Sequence, residues 1–319
     1  MPAAAKRDSF SSDFSPSKRR FAEFMLMATT FIWGGTFVVV KVGLESASPL
    51  FFAAVRFLAA SVILTVIFFK KVQTIDSSAL QKGVVLGILL CLGFAAQTIG
   101  LKFTSASKSG FITGMMVVFT PIMQFVIERQ FPKLGNILGV GLVTIGLYVL
   151  TSPSGSEFNL GDGLTLVCAI LFAVYIVYLD VVSKETNVFH LTYLQIVTTG
   201  VVSFVLAALF ERIEFSPSNS LFFALGYLTL LATMLTTYVQ TRFQRDTTPT
   251  RAAVIFSLEP LVAGILAYLF LNEIIGSLGI LGGGIILAGI LISELSDYIP
   301  LLNRGILRNR EDGSKSSVP

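Results

Sequence analysis

The sequence predicts an all-α integral membrane protein in which ten transmembrane helices form two inverted-topology five-helix repeats. Of its 319 residues, 54% are hydrophobic and only 13% are charged, and the mean hydropathy is +0.80. A soluble domain carries about 25% charged residues, so this composition is typical of a membrane protein. The apolar residues fall in segments of about 20 residues, the length at which a helix crosses a bilayer.

Ten such segments are predicted, and polar clusters or proline and glycine separate them. In chain order they cover residues 23–42, 50–69, 83–101, 107–127, 135–151, 161–182, 190–210, 221–241, 250–271 and 277–297.

The second five segments match the first five at a constant offset of 139 residues through four segments. Gly87 falls on Gly226, and Pro121 falls on Pro260. A unit with an odd number of crossings is followed by a copy that enters from the other side, which is the inverted repeat of many secondary transporters. The predicted organisation is an N-terminal tail (1–22), a first repeat (23–151), a loop (152–160), a second repeat (161–297) and a C-terminal tail (298–319).

Charge and motifs exclude several classes of protein. Lys and Arg concentrate in the two tails and in alternate loops, which predicts that both termini are cytoplasmic. The net charge of +4 follows this topology, so we expect no nucleic-acid partner. The absence of a G-x-x-x-x-G-K-[ST] phosphate loop argues against transport driven by the chain's own ATP hydrolysis. With one histidine and no metal-ligand pattern, we expect no enzymatic activity, no metal and no cofactor.

Glu259 is the strongest candidate for chemistry inside the membrane. It lies near the middle of the ninth segment, directly before Pro260. A charge in hydrocarbon is costly and marks a functional candidate, and proline removes a backbone donor beside the carboxylate. Three roles stay open: a proton-coupling group, a carboxylate that receives a substrate amine, or a helix-to-helix hydrogen bond that fixes packing.

Arg56 lies about a third of the way into the second segment. Three roles stay open for Arg56: its side chain extends to the membrane–water interface, it pairs with a carboxylate, or it binds an anionic group of the substrate with two hydrogen bonds. An intramembrane arginine generally needs a standing partner, so structural pairing is favoured over substrate binding.

Other polar and aromatic residues of the spans suggest a shared cavity. Trp33 is placed at mid-membrane, where its indole N–H needs a partner, next to Gly34 and Gly35, which permit a kink or the close approach of another group. A wall of the cavity and simple packing both remain open for Trp33. A mostly apolar pocket with few polar groups suits an amphipathic metabolite or an amino acid. The candidates for substrate binding or coupling are Trp33, Thr36, Arg56, Gln97, Met116, Phe119, Gln124, Tyr175, Tyr178, Tyr238, Gln240 and Glu259.

Spans five and ten are rich in glycine. Gly135-x-x-x-Gly139 and Gly279-x-x-x-Gly283 are patterns that allow close helix packing. They predict a scaffold, either within one chain or at a homodimer interface.

Several motifs together resemble the EamA-type transporters of the drug/metabolite transporter superfamily. They are Phe31 to Lys41 (FIWGGTFVVVK), Pro49 with Ala54-Val55-Arg56-Phe57, Ser109 to Pro121, Ser257-Leu258-Glu259-Pro260, and Asn272-Glu273. The resemblance covers residues 21–297. It implies a ten-helix inverted-repeat fold, a central cavity walled by both repeats, and export of amino acids, metabolites or drugs.

We therefore expect a secondary transporter that moves small amino-acid-like or amphipathic metabolites by alternating access around a central cavity. The expected direction is export, the expected coupling is to protons, and the expected location is the bacterial inner membrane. The expected partners are a small-molecule substrate, the lipid bilayer, protons and a second copy of the chain. An uncoupled facilitator or channel is the alternative, because inverted repeats occur in channels too.

Overall fold

The computed structural model describes residues 16–129, 132–150, 159–271, 277–296, 299 and 302. Within these ranges there are helices and short connections, with no β-strand. The helices of the first half are α1 (Pro16–Gly43), α2 (Pro49–Ile67), α3 (Phe69–Val72), α4 (Ser77–Gly100), α5 (Ala106–Gly114), α6 (Met116–Glu128) and α7 (Leu134–Leu150).

The second half also consists of α-helices, and in addition it contains a π-helix and a 3₁₀ turn. They are α8 (Leu160–Ser183), α9 (Val188–Phe210), α10 (Asn219–Thr229), a π-helix (Leu230–Leu235), α11 (Thr236–Phe243), a 3₁₀ turn (Gln244–Asp246), α12 (Pro249–Phe256), α13 (Glu259–Leu271) and α14 (Ser277–Leu295).

The described part of the chain has eight helical stretches that are long and apolar enough to cross a membrane. Two shorter apolar helices, Leu134–Val149 and Ile280–Ser293, accompany them. The predicted all-helical, multi-pass membrane fold is therefore confirmed. The count of ten spans, the inverted repeat and the boundaries of the two repeats stay predictions.

Two helices begin well before the predicted apolar segments. The first span was expected from 23, but α1 begins at Pro16 and includes its basic first turns. The third was expected from 83, but α4 begins at Ser77, where the Asp76 carboxylate accepts a hydrogen bond from the Ala79 N–H at 2.7 Å. Apolar length marks the part of a helix that lies in lipid, whereas capping residues mark where the helix begins.

Three spans that were predicted as single helices are interrupted. The fourth breaks at Met115, between α5 and α6, and the ninth breaks at Ser257, between α12 and α13. The eighth contains the π-helix Leu230–Leu235. Met116 and Phe256, which adjoin the first two interruptions, line the cavity described below, and so does Arg56, which bonds to the π-helix.

The helix boundaries follow the predicted offset only in part. α2 and α9 begin at Pro49 and Val188, which correspond under the offset of 139 residues. α4 and α10 begin at Ser77 and Asn219, three residues away from that correspondence. One constant offset therefore does not relate the helix boundaries of the two halves.

Glycines bring α7 and α14 into contact within one chain. A Cβ added at Gly139 would lie 2.8 Å from the Gly289 carbonyl oxygen and 2.8 Å from the Ser293 Cβ. A Cβ at Gly135 would similarly collide with Ser296. Of the two alternatives for the first of these glycine patterns, packing within the chain is the one observed, and the homodimer stays a prediction.

We expect Gly139→Ala to destabilise the protein by about 1–3 kcal/mol, the usual cost of inserting a carbon into a well-packed contact. Thermal unfolding in detergent micelles measures the change. Gly141→Ala is the matched control on the same helix, because a Cβ at Gly141 meets no atom within 4 Å. Equal melting temperatures for the two variants would contradict the observed α7–α14 contact.

Candidate functional site

A cavity of about 500 Å³ lies inside the bundle, between helices of both halves. Six of its apolar residues, on α4, α6, α8 and α12, belong to the largest buried cluster of the described residues or pack against it: Leu90, Phe94, Met116, Phe172, Ile176 and Phe256. The cavity is lined by Trp33, Thr36, Arg56, Leu90, Phe94, Gln97, Met116, Phe172, Tyr175, Ile176, Gln240, Phe256 and Glu259.

Arg56 is buried in one wall of this cavity. Its Nε donates a hydrogen bond to Thr233 Oγ1 at 2.6 Å, and its Nη2 donates to the Ala232 carbonyl at 2.9 Å. The rings of Phe57 and Phe94 lie 5.0 and 5.1 Å from the guanidinium carbon, within the range of a cation–π interaction. The expected standing partner is thus a set of neutral groups, and no carboxylate of the described residues pairs with Arg56.

The π-helix Leu230–Leu235 supplies the acceptors that hold Arg56. The Ala232 carbonyl accepts from Arg56 Nη2 and also from the Thr236 hydroxyl at 2.9 Å. Thr236 Oγ1 in turn accepts from the Trp33 indole N–H at 3.0 Å. Single π-helical turns often occur at functional sites. This one contacts the Arg56 guanidinium directly, and it contacts Trp33 only through Thr236, the first residue of α11.

Glu259 is the first residue of α13 and follows directly on the interruption at Ser257. Pro260 has no N–H to donate to the carbonyl of Phe256, four residues earlier, so the backbone beside the carboxylate is only partly hydrogen-bonded. The side chain is buried. Within the described part of the chain its carboxylate makes no hydrogen bond and no ion pair, so the packing role has no partner there.

The two glycines of α1 let α13 and α10 pack closely against α1. A Cβ at Gly34 would lie 2.6 Å from the Val262 side chain and 3.1 Å from the Glu259 carbonyl oxygen. A Cβ at Gly35 would lie 2.8 Å from the Tyr227 hydroxyl oxygen. Of the two uses expected for paired glycines, the close approach is the one observed.

Arg56 and Glu259 line the same cavity without pairing with each other. A buried charge is costly unless an opposite charge and hydrogen bonds compensate it. The neutral groups around Arg56 compensate its charge in part. The Glu259 carboxylate has no hydrogen bond or ion pair with the described residues. The arrangement can therefore bind a ligand that carries a negative and a positive group.

The other polar groups of the cavity are bonded to protein partners. The Tyr175 hydroxyl donates to Gln195 Oε1 at 2.7 Å, and Gln97 Nε2 donates to Thr113 Oγ1 at 3.1 Å. The described residues contain no group of three His, Cys, Asp or Glu side chains arranged to hold a metal ion. The chemistry that the cavity offers a ligand thus consists mainly of a guanidinium, a carboxyl group and an aromatic wall.

The structure brings eight of the twelve predicted site residues together around the cavity: Trp33, Thr36, Arg56, Gln97, Met116, Tyr175, Gln240 and Glu259.

The other four predicted residues lie elsewhere. Tyr238 is 45% exposed on the outside of the bundle, because two residues along a helix turn a side chain to the opposite face from Thr236 and Gln240. Gln124 accepts from the Thr250 hydroxyl at 2.6 Å, beyond the cavity near the end of α6. Phe119 and Tyr178 pack against the buried apolar cluster.

The sequence prediction missed five lining residues, which are Leu90, Phe94, Phe172, Ile176 and Phe256. Helical spacing contains the missing signal. Leu90 and Phe94 precede Gln97 by seven and three residues, and so share its face of α4. On α8, Phe172 precedes Tyr175 by three residues and Ile176 by four, so it shares a helix face with both.

Membrane-length apolar helices around an internal cavity with buried charges define the class of solute transporters. The chain belongs to the EamA-like transporter family, whose model matches residues 20–152 and 159–295. It is therefore a multi-pass membrane transporter.

Individual relatives agree with this assignment. The chain is 32% identical over 278 residues to an uncharacterized transporter of Archaeoglobus fulgidus, covering 87% of each chain. It is 25% identical over 280 residues to the uncharacterized inner membrane transporter YedA of Escherichia coli, covering 86% of this chain and 90% of that one. It is 25% identical over 274 residues to the S-adenosylmethionine/S-adenosylhomocysteine transporter of Chlamydia muridarum, covering 79% of this chain and 85% of that one.

A solved crystal structure has the same fold. It matches with a TM-score of 0.71 at 15% identity, covering 88% of this chain and 98% of that one. At this identity the match concerns the fold alone.

Proposed function

We propose that this protein is a secondary transporter that carries small zwitterionic, amino-acid-like metabolites across the membrane by alternating access. The observation that carries the proposal is the presence of Arg56 and Glu259, unpaired with each other, in one cavity. Arg56 receives the substrate carboxylate through its remaining N–H donors, since a guanidinium matches the geometry of a carboxylate. Glu259 receives the substrate amine.

The walls of the cavity support a substrate with an apolar body. Trp33, Phe94, Phe172 and Phe256 present aromatic rings to the cavity. The name of the Chlamydia muridarum relative fits the same head group, because S-adenosylmethionine and S-adenosylhomocysteine both carry an α-amino acid group.

Glu259 also serves as the proposed proton-coupling group. An inverted pair of repeats, related by an axis in the membrane plane, provides the two alternating states. We further propose that both termini are cytoplasmic, since Lys and Arg favour that side. Export is the proposed direction, and the bacterial inner membrane the proposed location.

The test is uptake of a labelled amino-acid panel into proteoliposomes, with and without an imposed pH gradient. We expect saturable uptake that the gradient accelerates. Saturable uptake that ignores the gradient would mean an uncoupled facilitator, and no uptake of any amino acid would remove the proposed substrate class.

Competition by analogues tests the two-charge head group directly. For an accepted aromatic amino acid, the matched competitors are the same molecule without its amine and without its carboxylate. Each analogue leaves one buried charge uncompensated, so we expect each to compete at least about tenfold more weakly, as for the loss of a hydrogen bond to a charged group. Equal competition by either analogue would contradict the proposed role of the charge that it leaves unpaired.

A further inference from the structure

Near the beginning of α1, a buried ion pair joins the two halves of the chain. The Glu23 carboxylate oxygen lies 3.0 Å from Arg251 Nε, and both side chains are almost fully buried. The same carboxylate accepts a hydrogen bond from the Thr247 hydroxyl at 3.0 Å. Thr247 and Arg251 belong to the start of α12, in the second half, so this contact ties α1 to α12.

A second ion pair joins the halves near the beginning of α8, between a buried carboxylate and a lysine that is partly exposed. The Asp162 carboxylate oxygen lies 2.6 Å from Lys108 Nζ. The same carboxylate accepts a hydrogen bond from the Thr104 hydroxyl at 2.8 Å. Thr104 and Lys108 belong to the start of α5, in the first half, so this contact ties α8 to α5.

The two ion pairs use matching positions of the chain, although Glu23 also lies 3.6 Å from Arg19 Nε on its own helix and Lys108 is more exposed than Arg251. Glu23 and Asp162 correspond under the offset of 139 residues. Each carboxylate accepts a hydrogen bond from the hydroxyl of the threonine just before a helix N-cap. Each also pairs with the cationic side chain of the third residue of that helix. The N-caps are Ser105, which accepts from the Lys108 N–H, and Thr248, which accepts from the Arg251 N–H. The matching segments are TSASK (104–108) and TTPTR (247–251).

The two pairs lie at opposite ends of the bundle. Lys41, near the end of α1, donates a hydrogen bond at 2.8 Å to the carbonyl of Thr104, which itself contacts Asp162. Glu23 lies 18 residues earlier on the same helix, which is about 27 Å along the helix axis. We name the two ends of the bundle the Glu23 end and the Asp162 end.

We infer that Glu23–Arg251 and Asp162–Lys108 are the two gates of the transporter, one at each end of the cavity. Each gate joins the first helix of one half to the fourth span of the other, so the halves separate at one end only when that ion pair breaks. Both gates are closed in this structure. Transport alternates between states in which one gate is open and the other is closed.

Cavity accessibility tests this inference in the full chain. A reporter cysteine, Thr36→Cys, is placed in the cavity of a variant in which the buried Cys91 and Cys168 are replaced by alanine. The protein is reconstituted in proteoliposomes of known orientation, and a membrane-impermeant charged thiol reagent is applied from either side. Arg251→Met and Lys108→Met are the matched gate variants.

We expect Arg251→Met to raise the labelling rate from the Glu23 end about tenfold, the change that follows from about 1.4 kcal/mol in the equilibrium between open and closed states. Lys108→Met is expected to have the same effect from the Asp162 end. Neither variant is expected to raise labelling from the opposite end. Equal acceleration from both ends, or none from either, would overturn the inference.

Two controls separate a gate from a general loss of structure. Lys82→Met removes the ion pair between Lys82 and Glu185 (3.1 Å), which also lies at the Glu23 end. The Glu185 side chain is 70% exposed, and an exposed ion pair contributes little to stability. It is expected to leave labelling unchanged. If a gate variant does not fold, Thr247→Val and Thr104→Val remove only the hydroxyl of the same gates and are expected to give smaller rises at the same ends.

The inference rests on alternating access as proposed above but not on the proposed substrate, because labelling needs no substrate. If the labelling pattern is as expected and no amino acid is taken up, only the substrate class is wrong. If amino acids are taken up and labelling is not end-specific, only the gates are wrong.

Discussion

Arg56→Met is expected to reduce the affinity for the zwitterionic substrate roughly 10–150-fold, which corresponds to about 1.5–3 kcal/mol for hydrogen bonds to a charged group. The reason is that methionine fills much of the same space but offers no donor and no charge to the substrate carboxylate. Competition against a labelled amino acid in proteoliposomes measures the change. Arg56→Lys keeps the charge and loses the planar fork, so its affinity is expected to lie between those of the wild type and Arg56→Met.

A substrate-side control distinguishes binding from structure. Arg56 also donates to Thr233 and Ala232, so its loss disturbs the π-helix as well as any ligand. The analogue without a carboxylate makes no proposed contact with Arg56. We therefore expect Arg56→Met to leave the affinity for this analogue nearly unchanged. The coupling energy of this double-mutant cycle isolates the contact. If the variant weakens amino acid and analogue equally, Arg56 only supports the fold.

Glu259→Gln is expected to abolish the acceleration of uptake by a pH gradient while substrate exchange at equal pH persists with lower affinity. A glutamine side chain is close in size to the carboxylate but cannot bind and release a proton in the transport cycle. The measurement compares gradient-driven uptake with exchange in the same proteoliposomes. The affinity for the analogue without an amine is expected to stay nearly unchanged, since that analogue makes no contact with Glu259.

Glu211→Gln is the matched control for the loss of a carboxylate. Glu211 accepts hydrogen bonds from the N–H groups of Leu50 and Phe51 at the start of α2, at 2.9 and 3.1 Å, and it does not line the cavity. We expect this variant to keep the response to the gradient. A response that survives in Glu259→Gln would place proton coupling elsewhere, and Glu259 would retain only its contact with the amine.

The membrane fold could be predicted from the sequence because apolar length and composition are summed over many residues. The helix starts at Pro16 and Ser77 could not be read from apolar length, because the turns before the lipid are polar. The π-helix Leu230–Leu235 could not be predicted either. Its contacts with Arg56 come from another helix, and such contacts leave no local pattern.

The site was predicted best where a residue is unusual for its surroundings. Arg56, Glu259 and Trp33 are conspicuous inside apolar spans, and all three line the cavity. Tyr238 was a candidate as one of the polar groups of the eighth span, and it faces outward. The apolar wall was missed because Phe94 or Phe256 looks like any other apolar residue until the direction of its helix face is known.

The pair of opposite buried charges bears on how the transporter responds to membrane voltage. Moving one elementary charge across a membrane is worth about 2.3 kcal/mol per 100 mV. A zwitterion that binds between a guanidinium and a carboxylate adds no net charge to the protein, so its own transfer does no electrical work. With the proton coupling proposed above, the electrical work of transferring the two ligands would come from the proton alone, whereas the zwitterion would contribute only its concentration gradient.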